Sequence, residues 1–490
     1  MDVFIFGKRV SILKHPRKRF PESHPYIHIL DFRDMNAALL QWNEIVMLED
    51  ESMLGGILLR GGSPEYWIGV RTWFDKRGSH PLIFADFEQG AASQLTGFSW
   101  LPSAFALGSC NDTDITFRVG SLVGRQAKLL GLDGVFAPVA DLLLNVNCTV
   151  MGSRCYGATP NRVASLCSAF IRGCRSQGIM TVVKHFPGHG RSMEDSHVRT
   201  AIVTSTYEEW EQSDLIPFRE SIAAGCDGVM AGHIWYSGLD PEEYRPASLS
   251  PAVLRHMLRG VLGFRRLIFT DSLDMDAVSP GDREIADSAL EAGADYVVGV
   301  RNVLSDEAEN KNPEPIPLVS VNGMAEGIEL LNRETDEVSR TVARESLSWI
   351  NGLIRRPALC DKIIQFVCID GASDTWADPF VSRVSERIPC SDILKGSLCD
   401  LPRVSEGTLL VTIGRQVNPP DMKRAARVIR SIPAETMICI NFGGLRLIPL
   451  LRDHATFLGG DSLTATQLAA AYVITENGGT YGDPDLEPVQ

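Results

Sequence analysis

The chain has 490 residues, 44% of them hydrophobic and 22% charged, with a formal net charge of −14. That is the balance of an ordinary globular protein, long enough for an α/β barrel and a second domain, and its acidity argues against a nucleic-acid or anionic-membrane partner. No run of about 18 apolar residues occurs, so no transmembrane helix is expected.

At the N-terminus, MDVFIFGKRVSILKHPRKRF places its apolar residues before its basic ones, the wrong order for a secretory signal. The short basic patch Lys14–Arg19 reads as a solvated leader. The 11 cysteines are scattered and odd in number, with no CxxC pair and several in apolar runs (Cys167, Cys226, Cys439). Neither a zinc ribbon nor a disulfide framework is indicated, and a reducing cytoplasm is the expected compartment.

Apolar strand-like runs then recur: YIHILDF (26–32), GGILLR (55–60), PLIFADFE (81–88), GVFAPVAD (134–141), IMTVVKHF (179–186), DGVMAGHI (227–234), RLIFTDSL (266–273) and ADYVVGV (294–300). Amphipathic segments separate them, several closed by Gly as helix C-termini are. Eight strands alternating with helices predict a TIM-like (β/α)8 barrel. After about Ser346 the pattern changes. Residues 341–358 read as a helix and linker, followed by strand-like IIQFVCID (363–370), TLLVTIG (408–414), TMICINFGG (436–444) and HATFLGG (454–460). The expected division is a catalytic barrel at 1–345, a linker at 346–362 and a smaller α/β sandwich at 363–490.

Polar residues gather at the C-terminal ends of the barrel runs: Asp31, Asp86, Glu88, Asp141, Lys184, His185, His233 and Asp271. Each alone reads as a helix cap or turn residue. Together they mark an active-site rim, because charge inside a packed barrel is costly. The densest stretch is 179–197, where a buried strand gives way to Lys184-His185-Phe186-Pro187-Gly188-His189-Gly190 and then to Asp195-Ser196-His197. Asp271, the first charge after RLIFT, suits a nucleophile that is ionised at neutral pH and needs no activating base. Asp274 and Asp276 fall where acids favour the first turn of a helix. In Asp195-Ser196-His197 the aspartate can hold the imidazole in one tautomer and raise its pKa, as suits a group that donates and then accepts a proton. In isolation, Asp195 as a helix cap and His197 as a surface residue explain the triplet better.

With KHFPGHG (184–190) and DSH (195–197), the chain resembles glycoside hydrolase family 3, in the β-N-acetylglucosaminidase branch that includes bacterial enzymes of peptidoglycan recycling. APVAD (137–141), GSRCYG (152–157), LIPFRESIAAGCDGVM (215–230), PASLSPAVLRHMLRGVLGF (246–264) and TDSLDM (270–275) carry the likeness over roughly residues 25–300. It implies Asp271 as nucleophile, His197 paired with Asp195 as acid/base, and Asp86, Arg154, Lys184 and His185 as hydrogen-bonding partners of a terminal sugar. It implies a retaining, exo-acting β-N-acetylglucosaminidase on a small carbohydrate, with no metal or organic cofactor. The chain departs from the family pattern in DFEQGAASQ (86–94), where Gln89, Ala91 and Gln94 replace a Gly and two Arg, and in GHGRS, where Arg191 replaces the common Asp. Three alternatives follow: a phosphorylase in which Arg191 assists phosphate, a metallohydrolase using His185, His189, His197 and Asp195, and a sugar-binding protein without turnover.

Overall fold

The computed structural model describes residues 25–145, 148, 150–192, 200–241, 243–278, 283–300 and 315–346. It also describes two short strands near the N-terminus and a set of strands after residue 347.

The eight expected barrel runs all form strands: β1 (Tyr26–Asp31), β2 (Gly56–Arg60), β3 (Leu82–Ala85), β4 (Gly134–Val135), β5 (Met180–Phe186), β6 (Gly228–Ala231), β7 (Leu267–Ser272) and β8 (Tyr296–Val298). They close into a barrel in chain order, every neighbouring pair parallel, with β8 completing the ring against β1. Parallel neighbours need a crossover, and the amphipathic segments supply it. These include α1 (Met35–Asp50), α2 (Pro64–Arg77), α3 (Ala104–Cys110), α4 (Thr113–Leu129), α5 (Pro160–Ser176), α6 (Tyr207–Gln212), α7 (Leu215–Ala223) and α8 (Arg283–Ala292). The SPAVLRHMLRGVLG segment is wound as a π-helix over Ala252–Val261.

Local chemistry explains the helix ends. Asp34 and Asp112 accept hydrogen bonds from the first free amides of α1 and α4, and Thr206 with Glu209 forms a reciprocal cap on α6. Just past the end of α5, Gly178 takes a φ of 80°, a conformation a side chain would strain.

The lower barrel interior is packed with aromatic rings. Phe84 stacks on Phe136 with centroids 4.9 Å apart, Phe269 meets both edge-on, and Tyr296 stacks on Phe269. Gly134 and Gly228 make the room, since a Cβ at either would lie 2.5 and 2.6 Å from the rings of Phe84 and Phe269. Chemistry is therefore confined to the rim, because the floor is solid. A second apolar shell, including Trp42, Trp67, Phe74, Phe170 and Phe218, fills the space between strands and helices.

The helix α9 (Ala325–Glu345) follows the barrel. The segment read as helix and linker then contains a strand, β9 (Ser348–Ile350). Five more follow: β10 (Ile363–Ile369), β11 (Cys390–Lys395), β12 (Thr408–Ile413), β13 (Met437–Phe442) and β14 (Ala455–Gly459). They form one sheet in the order β9-β14-β13-β12-β10-β11, parallel except for β9. The expected runs at 363, 408, 436 and 454 are all strands of it. Both strands absent from the sequence reading lie at sheet edges, where one is only three residues long and the other, CSDILK, has just two strongly apolar positions.

No helix among the described residues is long and apolar enough to cross a membrane.

Candidate active site

Strand β5 carries its apolar residues into the barrel wall and emerges at Lys184 and His185, both buried. The chain leaving β4 runs beside this end: Lys184 N–H donates to the Pro138 carbonyl (3.1 Å) and Ala140 N–H to the Lys184 carbonyl (2.7 Å). That pairing delivers Asp141 to His185. The Asp141 carboxylate, with no exposed surface, accepts from three donors: His185 Nδ1 (2.7 Å), His185 N–H (3.1 Å) and His189 N–H (2.6 Å). Because a carboxylate only accepts, His185 carries its proton on Nδ1. Its Nε2 lies 3.4 Å from Arg154 Nη2, whose N–H donates to that lone pair. Burial pushes the Asp141 carboxyl up, but His185 and His189 outweigh it and hold it below its ordinary value.

Lys184 Nζ stands between two carboxylates, 2.8 Å from both Asp86 Oδ1 and Glu88 Oε1. Arg154 clamps Glu88 with both arms, Nε to Oε2 at 2.8 Å and Nη2 to Oε1 at 2.7 Å. Glu88 is desolvated, yet Arg154 and Lys184 pull its carboxyl well below the usual range. Lys184 thus spends two of its three donors on a buried ion-pair network, which leaves one, together with Asp86 Oδ2, for hydroxyls.

At the end of β7, half-buried Asp271 accepts from Ser272 N–H at 2.8 Å. Burial raises its carboxyl, but the imidazoles of His185 and His233, the Ser272 amide and the Lys184 ammonium bring it down to about 2. His233 is fully buried at the end of β6. Its Nε2 lies 3.0 Å from the Ser272 carbonyl and its Nδ1 2.8 Å from Ser248 Oγ. Since a carbonyl only accepts, Nε2 holds the proton, and desolvation keeps this imidazole below its ordinary pKa. His233 therefore braces the backbone directly after Asp271.

Asp86, Arg154, Lys184, His185 and Asp271 are thus brought to one rim. Asp195 and His197 lie outside the described residues. The loop that leads toward them is described as far as Ser192. In it Gly188 adopts φ 132°, and a Cβ on Gly190 would fall 1.6 Å from the Leu142 carbonyl, so only glycine lets this turn lie against the β4 loop. Arg191, read as a cation beside the acid/base, instead donates through Nε to buried Asp214 (2.8 Å) and through Nη2 to Ser213 Oγ (2.7 Å). That ion pair ties the loop to the start of α7 and satisfies the charge considered for phosphate. Asp31 pairs with Arg33 at the rim, and Asp274 accepts from Ser272 Oγ. The sequence reading passed over Arg60, the last residue of β2. Its position as a lone charge ending an apolar run was the available signal.

Metal ligation does not suit His185, whose Nδ1–H faces a carboxylate and whose Nε2 faces a guanidinium where a cation would have to sit. Among the described residues no group of three or more His, Cys, Asp or Glu converges in a metal-holding arrangement.

A family model described as "Glycosyl hydrolase family 3 N terminal domain" matches residues 44–336, which is more than half of the chain and includes Asp86, Glu88, Arg154, Lys184, His185 and Asp271. The chain belongs to this family. It is a glycoside hydrolase. A β-hexosaminidase of Stenotrophomonas maltophilia (strain K279a) is 37% identical over 236 residues, covering 46% of this chain and 69% of that protein. A family 3 β-N-acetylglucosaminidase from Paenibacillus sp. str. FPU-7 superposes with a TM-score of 0.73 at 22% identity, covering 94% of this chain and 97% of that one. A β-glucoside phosphorylase superposes with a TM-score of 0.76 at 17% identity, covering 95% and 93%. At these identities the two structures share the fold, which extends through the C-terminal region, and hydrolase and phosphorylase use the same scaffold.

The rim predicts its own response to acid. Glu88, Asp141 and Asp271 have folded pKa values below their ordinary ones, so their stabilisation is complete above pH about 4.5 and is lost as pH falls through the folded values. His28 and His189 are buried, which lowers each from 6.5 to about 4, and their preference for the neutral form fades as pH drops below 6.5 and the unfolded chain takes up protons. Thermal melts are expected to show Tm falling in two stages. The first is a loss of roughly 5 °C or more between pH 7 and 5 from the histidines. A steeper fall below pH about 4 follows from the carboxylates. A Tm flat down to pH 4.5 would refute the histidine assignment.

Proposed function

We propose that the protein is a retaining, exo-acting β-N-acetylglucosaminidase. The observation that carries this reading is an ionised carboxylate, Asp271, at a barrel-strand end beside the Asp86–Lys184–Glu88–Arg154–His185 network, in a chain 37% identical to a protein named β-hexosaminidase. Asp86, Arg154, Lys184 and His185 bind the hydroxyls of the terminal sugar. Asp271 attacks the anomeric carbon while His197, oriented by Asp195, protonates the departing glycosidic oxygen. The resulting glycosyl ester is opened by water, whose proton returns to His197, so the anomeric configuration is retained after two inversions. Residues 1–345 make up the catalytic unit, and the α/β unit after it contributes no catalytic residue. The scattered, mostly buried cysteines among the described residues suit a reducing, cytoplasmic setting. Fragments of peptidoglycan bearing terminal β-N-acetylglucosamine are the proposed natural substrate.

Release of nitrophenol from p-nitrophenyl β-N-acetylglucosaminide, compared with the β-glucoside, tests this. A preference for the acetamido sugar of about 10²-fold or more in kcat/KM is expected, unchanged by inorganic phosphate. Equal turnover of the glucoside would overturn the substrate assignment. Phosphate-dependent acceleration with formation of a sugar 1-phosphate would replace hydrolysis with phosphorolysis.

A further inference from the structure

Arg60 ends β2 at the rim, with about a fifth of its side chain exposed. Among the described residues its guanidinium has two ion contacts, both long: Nε to Asp86 Oδ2 at 4.0 Å and Nη1 to Asp274 Oδ2 at 3.9 Å. Neither is a hydrogen bond, since a guanidinium–carboxylate pair in direct contact closes to about 2.7–2.9 Å. Asp86 meanwhile spends Oδ1 on Lys184 and leaves Oδ2 facing Arg60.

The surrounding backbone holds this gap open. Gln94 reaches across from the turn after β3, its Oε1 accepting from Gly61 N–H (3.4 Å) and its Nε2 donating to the Asp86 carbonyl (3.3 Å). One side chain therefore spans the ends of β2 and β3. On its other side the Gly61 carbonyl accepts from Trp67 Nε1 (2.8 Å), and Trp67 stacks on Phe87 next to Asp86. Gly61 and Gly62, at φ 63° and 84°, turn the chain away immediately after Arg60. The separation of Arg60 from Asp86 is thus set by part-buried Gln94 and by buried Trp67 and Phe87, and a flexible arginine is left with unspent donors beside an unspent carboxylate oxygen.

We propose that Arg60 is a substrate-binding residue that, together with Asp86 Oδ2, brackets one hydroxyl of the terminal sugar. A hydroxyl is the group that fits between them, because it donates to the carboxylate and accepts from the guanidinium at the same time. Asp274 keeps the guanidinium turned toward the pocket. This rests on the reading of the rim as a sugar site, and it adds a specificity-determining contact that discriminates sugars at the Asp86 end.

The test compares wild type, Arg60→Ala and Arg60→Lys on p-nitrophenyl β-N-acetylglucosaminide and on its 4-deoxy and 6-deoxy analogues, with Tm measured for each variant. Arg60→Ala is expected to raise KM for the parent sugar about 10–100-fold, as for a lost hydrogen bond to a charged group, with kcat changed less. Wild type should lose a similar factor on one of the two deoxy analogues. On that analogue Arg60→Ala and wild type should differ by less than about 3-fold, because the contact is already gone. Arg60→Lys, which keeps the charge and loses the fork, should fall in between. Equal losses on all three substrates would assign Arg60 a purely structural role and overturn the proposal, as would an unchanged KM in Arg60→Ala. Should Arg60→Ala fail to fold, the same comparison with Arg60→Lys decides. Absence of wild-type turnover on the parent sugar would instead strike the β-N-acetylglucosaminidase reading itself.

Discussion

Asp271→Ala is expected to reduce kcat by at least about 10³-fold, a barrier increase of about 4 kcal/mol or more, while KM stays within a few-fold of wild type. The reasoning is local. Asp271 is held ionised, with its pKa lowered to about 2, accepts from Ser272 N–H, and stands beside the groups proposed to bind hydroxyls, so it is the group available to meet positive charge developing at an anomeric carbon. Stability should fall only modestly: the buried Ser272 N–H loses its acceptor and the favourable charge of Asp271 is removed, while His233 still braces the Ser272 carbonyl. Azide separates nucleophile from structural residue. A small anion entering the vacated space should restore turnover and give a glycosyl azide of inverted configuration, whereas the wild-type product keeps the β configuration. Activity surviving the substitution would move the nucleophile elsewhere.

The second large effect is expected from Asp141→Asn. All three partners of this carboxylate are N–H donors: His185 N–H and His185 Nδ1–H on Oδ2, and His189 N–H on Oδ1. An amide has one acceptor oxygen and brings an NH2 group that must face a donor. With Asp141 fully buried, the mismatch costs about 3–5 kcal/mol, or a Tm decrease of roughly 6–20 °C. Activity should fall further than stability predicts. His185 loses the proton placement that leaves Nε2 as an acceptor, and His189 lies just before the proposed acid/base, His197, in the chain. Measured at a temperature where the variant is fully folded, kcat/KM is expected to drop about 10²-fold or more. A wild-type Tm would show that Asp141 does not organise the rim.

Much of the architecture was legible because it depends on short-range pattern. Each barrel strand is a run of apolar residues long enough to cross the wall, and β-branched residues such as Val182 and Val183 favour that conformation. The gathering of charges at strand ends was visible for the same reason, since a change from apolar to polar marks where the wall meets solvent. The edge strands β9 and β11 were not legible, because an edge strand needs less apolar surface and its partners are distant in the chain.

Individual partners were less accessible. Arg191 reads from sequence as a cation next to the acid/base triplet, and the fold spends it on Asp214, 23 positions away. Arg60 reads as a strand-terminal charge, and the fold places it across from Asp86, with Gln94 setting the distance.

By itself the sequence determined the (β/α)8 barrel, the family and the residues that bring chemistry to the rim. Strand periodicity and motif spacing are properties of neighbouring positions, and they survive without coordinates. Tertiary structure alone decided how the charges are divided: which carboxylate holds Lys184, which guanidinium is neutralised by an ion pair, which imidazole nitrogen keeps its proton. Those choices turn on separations of 3 to 4 Å between side chains dozens of residues apart, and hydrogen bonding and Coulomb energy are steep at that range.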